Sequence, residues 1–392
     1  MVNRKPRLLT TGITPLPKKV SAAMRRPMVD GHGAEAWALM ESVRQGLADV
    51  LETKSEIFLL PGTGTGGLEA ALVNHLSRGD HVLACTHGFF SGLFAAMAEK
   101  LGAAVETMVA EPGKGVDWAA LERRLQDDRK GKIKAILLTH HETSTGVLND
   151  LAQLAAAKGK HPALVLVNAL SSAGGVPLLP DLWGLDVTVM CSHKGLMCAP
   201  GLAFLAIGQR AKERWKTAGM AKAYWDLSHL AHWLSRGITP FDPPLTLIYG
   251  MVEVMGYLRD KEARVQAYRR TASNAFLFRS YLPALRGKCV AAPKDRAPNA
   301  TVFRLAGETH CEDIKKALLS DFNISISRGM GTLAESTLRV NHQGWVFPKD
   351  IMALGEAMTS LTKATYRENQ RGSVERPPEC SLESDERPSH EA

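Results

Sequence analysis

Lys194 is the residue best placed to do chemistry in this chain of 392 residues. It follows an apolar run, Val187-Thr188-Val189-Met190-Cys191, and is flanked by Ser192, His193 and Gly195. A second run, Leu164-Val165-Leu166-Val167, stops as abruptly at Asn168-Ala169-Leu170-Ser171-Ser172-Ala173-Gly174-Gly175. Short apolar runs that end in small and polar residues predict buried parallel strands, and α/β proteins carry their chemistry just beyond such strand ends. A lysine held there loses hydration, which favours its neutral amine and makes it a usable nucleophile.

A second chemical element lies upstream. Pro61-Gly62-Thr63-Gly64-Thr65-Gly66-Gly67 follows the strand Ile57–Leu60 and opens a helix predicted over Leu68–Leu76. Free N–H groups and the helix dipole converge there on a point suited to an anion, with the Thr63 and Thr65 hydroxyls as further donors. The loop lacks the Gly-Lys-Ser/Thr ending of a Walker loop. Two further segments, Thr86-His87-Gly88-Phe89-Phe90 and Leu138-Thr139-His140-His141-Glu142-Thr143-Ser144-Thr145-Gly146-Val147-Leu148, also follow strands. The run His140-His141-Glu142 predicts no metal site, because three consecutive residues cannot face one point without a sharp turn.

These segments resemble the class V aminotransferases, fold-type-I enzymes that use pyridoxal 5'-phosphate, over roughly residues 8–365. The family pattern is V-D-A-x-S-S-x-G-G, then G-x-D, then S-x-(Q/H/N)-K followed by A-P-G or P-P-G. Ser171, Ser172, Gly174, Gly175, Gly184, Asp186, Ser192, His193, Lys194, Pro200 and Gly201 fit it. The resemblance implies that Lys194 carries the cofactor as a Schiff base and moves the substrate's α-proton. It implies that Thr63, Gly64 and Thr65 hold the phosphate, that Phe90 stacks on the ring, that Thr143 reaches the phenolic oxygen, and that His193 belongs to the cofactor site. Arg339, in Ser336-Thr337-Leu338-Arg339-Val340-Asn341, matches the arginine that forks onto the substrate carboxylate, a task suited to planar donors. Gly12, in the N-terminal arm, borders the substrate pocket in the same reading. The segment Thr239-Pro240-Phe241-Asp242-Pro243-Pro244 resembles one that reaches the phosphate across a dimer, so a homodimer is implied.

Two positions depart from the family. Asn168 stands where an aspartate faces the ring nitrogen, and an amide brings a hydrogen bond without a charge. A charged hydrogen bond is worth about 1.5–3 kcal/mol, so the ring should be a poorer electron sink. Asp242 stands where a second threonine is expected; beside a phosphate it must turn away or pair with a cation such as Arg236. The expected function is transfer of an amino group from an alanine- or serine-like amino acid to glyoxylate or pyruvate. The alternatives are a lyase or epimerase on the same fold, or a catalytically impaired scaffold or binding protein. A desulfurase would need a cysteine on a mobile loop, whereas Cys311 falls in a helical segment.

Length and composition suit two domains of ordinary globular make-up. The formal charge of +8 is scattered among acids, which argues against a nucleic-acid partner. The six cysteines show no CxxC or zinc spacing and read as reduced thiols of a cytoplasmic protein. No apolar run is long enough to cross a membrane, and the N-terminus has no signal-peptide core. Alternating strands and helices predict an α/β fold: a large domain with a mostly parallel sheet covered by helices, plus a small C-terminal α+β domain. The boundaries expected are an arm over 1–22, a large cofactor-binding domain over 23–250 and a small domain over 251–366. A long connecting helix over 245–285 joins the two domains, and a disordered Glu/Arg/Pro/Ser tail covers 367–392.

Overall fold

The computed structural model of the chain describes residues 5–306 and 310–372. Seven strands make the central sheet: β1 (Glu56–Pro61), β2 (His81–Thr86), β3 (Ala104–Val109), β4 (Ile133–Thr139), β5 (Leu164–Asn168), β6 (Val187–Cys191) and β7 (Leu202–Ile207). Their order is β1-β7-β6-β5-β4-β2-β3. The sheet is parallel from β6 to β3, while β7 runs antiparallel to both β6 and β1. Every residue of β5 and β6 is buried, as two continuous apolar runs covered on both faces require. β3 is an edge strand with Ala104, Glu106, Thr107 and Val109 exposed, and Glu106-Thr107 in its middle break the apolar run that marks the other strands.

Helices cover both faces. α1 (Ala34–Leu51) repeats Met40, Val43, Leu47, Val50 and Leu51 at helical spacing and packs that stripe with Ile248, Met251 and Met255 of α4 (Leu245–Leu258). The opposite face is covered by α2 (Gly64–His75) and α3 (Phe89–Lys100), whose Leu68, Leu72, Phe94 and Ala98 pack with Leu164, Leu166, Val187 and Val189. The helix expected over 245–285 is broken: α5 (Lys261–Tyr281) starts anew at Asp260, whose carboxylate accepts the Ala263 N–H. An aspartate N-cap inside an apparently continuous pattern was the missed signal.

A second, antiparallel sheet follows, β8 (Gly287–Cys289), β9 (Ala300–Leu305), β10 (Ser327–Arg328) and β11 (Leu338–Asn341), in the order β8-β9-β11-β10. Phe278 of α5, Phe303, Leu338, Val340 and Leu354 form its core. The arm is tied to this sheet's side of the molecule: Arg7–Leu8 pairs parallel with Ile324–Ser325, and the Leu9 carbonyl accepts the Asn341 N–H at 2.9 Å. The last helix, Pro348–Gly372, includes residues 367–372, which the sequence reading assigned to the tail; 373–392 lie outside the described residues. Among the described residues no helix is long and apolar enough to cross a membrane.

Candidate active site

The C-terminal ends of β5 and β6 bring Asn168–Ser171 against Lys194. Lys194 takes a left-handed φ of +65°, a conformation that costs about 1 kcal/mol outside glycine. Its carbonyl is held there by the Thr14 hydroxyl at 2.8 Å and the Met197 N–H at 3.1 Å. The glycines of the motif allow the two loops to touch, since a Cβ on Gly195 would lie 2.3 Å from the Ala173 carbonyl oxygen. Lys194 Nζ donates to Ser171 Oγ at 2.7 Å. The Ser171 carbonyl in turn accepts from His141 Nδ1 (3.1 Å), Asn299 Nδ2 (3.2 Å) and Gln343 Nε2 (3.1 Å), so His141 carries its proton on Nδ1.

Lys194 opens onto a cavity of about 550 Å³ that it shares with Gly12, Phe90, Thr143, Met330 and Arg339. Three other cavities, of 560 to 790 Å³, contain neither Lys194 nor Arg339, so volume alone does not locate the site. Burial pushes the Lys194 ammonium below the usual lysine range, with Arg339 acting the same way and Cys191 and Glu142 opposing it. The ring centroid of Phe90 lies 5.9 Å from Nζ. Phe90 stands in the first turn of α3, where the buried Glu142 carboxylate accepts the N–H groups of Phe90 (3.2 Å) and Ser91 (2.8 Å).

Arg339, on β11 opposite Val302, is only 7% exposed. It donates through Nε to the Arg328 carbonyl at 2.5 Å and through Nη1 to the Thr143 carbonyl at 3.3 Å. Nη2 has no hydrogen-bond partner among the described residues. Burial lowers its pKa to about 10 against the pull of Glu142, which still leaves a cation at neutral pH.

The glycine loop differs from expectation in detail. α2 begins at Gly64 rather than Leu68, and Thr63 is its N-cap, with Oγ1 accepting the Gly66 N–H at 3.3 Å. The Thr63 oxygen thus serves its own helix, while the Gly64 and Thr65 N–H groups are left without partners among the described residues. A Cβ on Gly64 would lie 2.6 Å from Leu170 and 3.2 Å from Cys191, so this helix start presses against the β5 and β6 ends. Asn168, 5% exposed, accepts the Leu170 N–H through Oδ1 at 3.2 Å. His193 lies beside them, with Nε2 3.8 Å from Cys191 Sγ and Nδ1 buried without a partner. Burial, then Lys194, push its pKa down to about 4.

Gly12, Phe90, Thr143, Lys194 and Arg339 therefore share one cavity, whose lining does not include Thr63, Gly64, Thr65, Asn168 or His193. Thr239 and Asp242 do not join them within one chain. Thr239 Oγ1 donates to the Phe241 carbonyl at 2.6 Å and lines a separate crevice with Arg44, Leu59 and Ile248. Asp242 is not paired with Arg236, which lies over the Trp233 ring; it faces His32 at 3.4 Å with a side chain 94% exposed. A pair so exposed is screened by water and holds little. The run His140-His141-Glu142 splits among separate partners, His140 packing on Trp183, His141 on Ser171 and Glu142 on the α3 amides. Sequence reasoning missed Ser171 as the partner of Lys194, although it lay in the quoted motif. Asn299 and Gln343 carry no local signal, because they reach Ser171 from more than a hundred residues away.

Residues 4–346 match the family described as aminotransferase class-V. The chain is 32% identical to the soluble hydrogenase 42 kDa subunit of Anabaena cylindrica, over 88% of this chain and 90% of the other. It is 30% identical to L-aspartate–glyoxylate aminotransferase of Paracoccus denitrificans, over 92% and 91%. Among solved structures, alanine–glyoxylate aminotransferase from Nostoc sp. matches with a TM-score of 0.86 at 26% identity, covering 92% of this chain and 96% of that one. With the fold-type-I architecture in place, the chain belongs to the class V aminotransferase family and is a pyridoxal-phosphate-dependent transaminase of amino acids and 2-oxo acids.

Proposed function

We propose that this transaminase moves an amino group from a small, alanine- or serine-like amino acid to glyoxylate or pyruvate, and that it works as a homodimer in the cytoplasm. The observation that carries the reading is one cavity of about 550 Å³ holding a half-buried amine, Lys194, and a buried arginine, Arg339. That volume suits a cofactor ring and a small substrate. The Paracoccus and Nostoc relatives are both named for glyoxylate, which supports that acceptor. The five cysteines among the described residues are unpaired, in keeping with a reducing compartment. The proposed division is an arm over 1–22, a large domain over 23–250 and a small domain over 251–366.

The residues present fit the cofactor. Lys194 supplies the amine, the unpartnered Gly64 and Thr65 N–H groups at the start of α2 suit the phosphate, Phe90 offers a ring face, and Asn168 offers a polar atom. Thr63, Thr143 and His193 complete the cofactor set, with Thr239 and Asp242 contributed across the homodimer and Gly12 beside the substrate. Pyridoxal phosphate, when bound, supplies an aldehyde for the amine and a ring that draws electrons from the α-carbon. Burial biases Lys194 Nζ toward the neutral amine, the form that would hold the cofactor's aldehyde carbon and that can accept a proton at Nζ. Ser171 Oγ fixes Nζ in position. Arg339 keeps Nη2 and one Nη1 hydrogen for a substrate carboxylate, a bidentate clasp that orients the α-carbon.

A steady-state assay with L-serine as donor and glyoxylate or pyruvate as acceptor, or with L-alanine as donor and glyoxylate as acceptor, tests the reading. Amino transfer to the acceptor is expected; no transfer from any small amino acid would defeat it. A lyase or epimerase reading keeps one observation in its favour, the amide of Asn168, and ammonia or inverted amino acid in the same assay would support it.

A further inference from the structure

We infer that Asn168 holds the pyridine nitrogen of the cofactor in its unprotonated form, as a hydrogen-bond donor through Nδ2. This rests on the cofactor placement proposed above. Asn168 is the last residue of β5, and counting by twos from Leu164 and Leu166 it projects to the face that carries α2. The next residues bind the site from both sides: Leu170 presses on Gly64 at the start of α2, and Ser171 holds Lys194. Asn168 thus starts the segment that runs between the anion-binding helix end and the reactive amine.

The polarity of the amide is fixed by its neighbour. Oδ1 accepts the Leu170 N–H at 3.2 Å, while Nδ2 has no partner among the described residues in a side chain that is 5% exposed. Turning the amide over would set Nδ2 against the Leu170 N–H, donor against donor. Oδ1 is already engaged by the Leu170 N–H, which leaves Nδ2, the end of the amide that keeps some accessible surface, to meet the ring. A donor matches only a ring nitrogen that keeps its lone pair. The charges nearby act in the same direction. Glu142, the carboxylate nearest in effect to Arg339, is committed to the N–H groups of Phe90, Ser91 and Ser144, and the Arg339 cation opposes a further positive charge. The ring then draws electrons more weakly than it would beside a carboxylate, so the burden of moving the α-proton falls more heavily on Lys194.

The test is nitrogen-15 NMR of the full chain reconstituted with ring-labelled pyridoxal phosphate, alongside Asn168→Asp and Asn168→Leu. The wild type is expected to show the unprotonated ring resonance throughout about pH 6 to 9, and Asn168→Asp to move it to the protonated position. Asn168→Leu, close in shape but unable to donate, should keep the unprotonated resonance and bind cofactor about tenfold more weakly. A protonated resonance in the wild type, or unchanged affinity in Asn168→Leu, overturns the inference. Borohydride trapping on the same samples separates the two levels: cofactor trapped on Lys194 together with a protonated ring overturns the Asn168 inference alone. Failure to trap on Lys194 overturns the cofactor placement beneath it.

Discussion

Around Lys194 most polar groups are tied to the chain's own atoms, Nζ to Ser171, the Ser171 carbonyl to three donors, Glu142 to the α3 amides and Arg339 to two carbonyls, while His193 Nδ1 and Arg339 Nη2 keep no partner among the described residues. At Thr239–Pro244 the charged group is arranged differently. Thr239, itself buried, turns onto its own backbone, whereas Asp242 stands 94% exposed and faces His32. Buried polar groups must find partners within the fold, whereas exposed ones are satisfied by water and need none. The first region gathers its groups within one chain; in the proposed homodimer the second would reach the glycine loop of the other copy.

Substitutions separate the two regions. Lys194→Ala should lower kcat by at least about 10²–10⁴-fold, the range for a lost proton-transfer group, in the serine–glyoxylate assay. An equal loss from Thr239→Ala would erase the distinction. Arg339→Lys should cost about 10- to 100-fold in kcat/KM, mostly through KM, because a point charge replaces a planar fork. Ser171→Ala should reduce turnover about tenfold while cofactor affinity changes little, since it frees Nζ without touching the anion site. Asp242→Thr should raise cofactor affinity about fivefold, read by fluorescence titration, because an anion leaves the neighbourhood of a phosphate. No gain would mean that Asp242 stays in solvent in the dimer as well.

The smallest effect concerns the buried histidines. Burial lowers His140 and His141 to about 3, and His75 to about 4. The unfolded chain titrates these near 6.5, so between the two limits it binds more protons than the fold, and stability falls as pH drops from about 6.5 toward 4. His140→Phe, still packed on Trp183, should flatten that slope by about one proton in urea unfolding. An unchanged slope would show His140 to be charged or accessible in the fold.

Five of the expected residues, Gly12, Phe90, Thr143, Lys194 and Arg339, line one cavity, and the sequence pointed to them through local pattern and through the resemblance. A lysine after a buried strand, a glycine run opening a helix and an arginine in T-L-R-V each carry local meaning. The parallel core was legible from continuous apolar runs at 164–167 and 187–190. What stayed hidden depends on contacts distant in sequence. The reversal of β7 leaves no mark in an apolar run that is buried on both faces either way. The edge strand β3 has its apolar run interrupted by Glu106-Thr107, and the convergence of His141, Asn299 and Gln343 on one carbonyl exists only after folding. Asn168 was legible as a departure, but the direction of its amide was not, because that is set by the Leu170 N–H.

The most direct measurement is the visible spectrum of the purified protein with pyridoxal phosphate, followed by borohydride reduction and peptide mapping. A yellow band that bleaches on adding L-alanine or L-serine, with the reduced adduct on the peptide containing Lys194, is the expected result. An adduct spread over other lysines, or no band at all, would contradict the placement of the chemistry at Lys194.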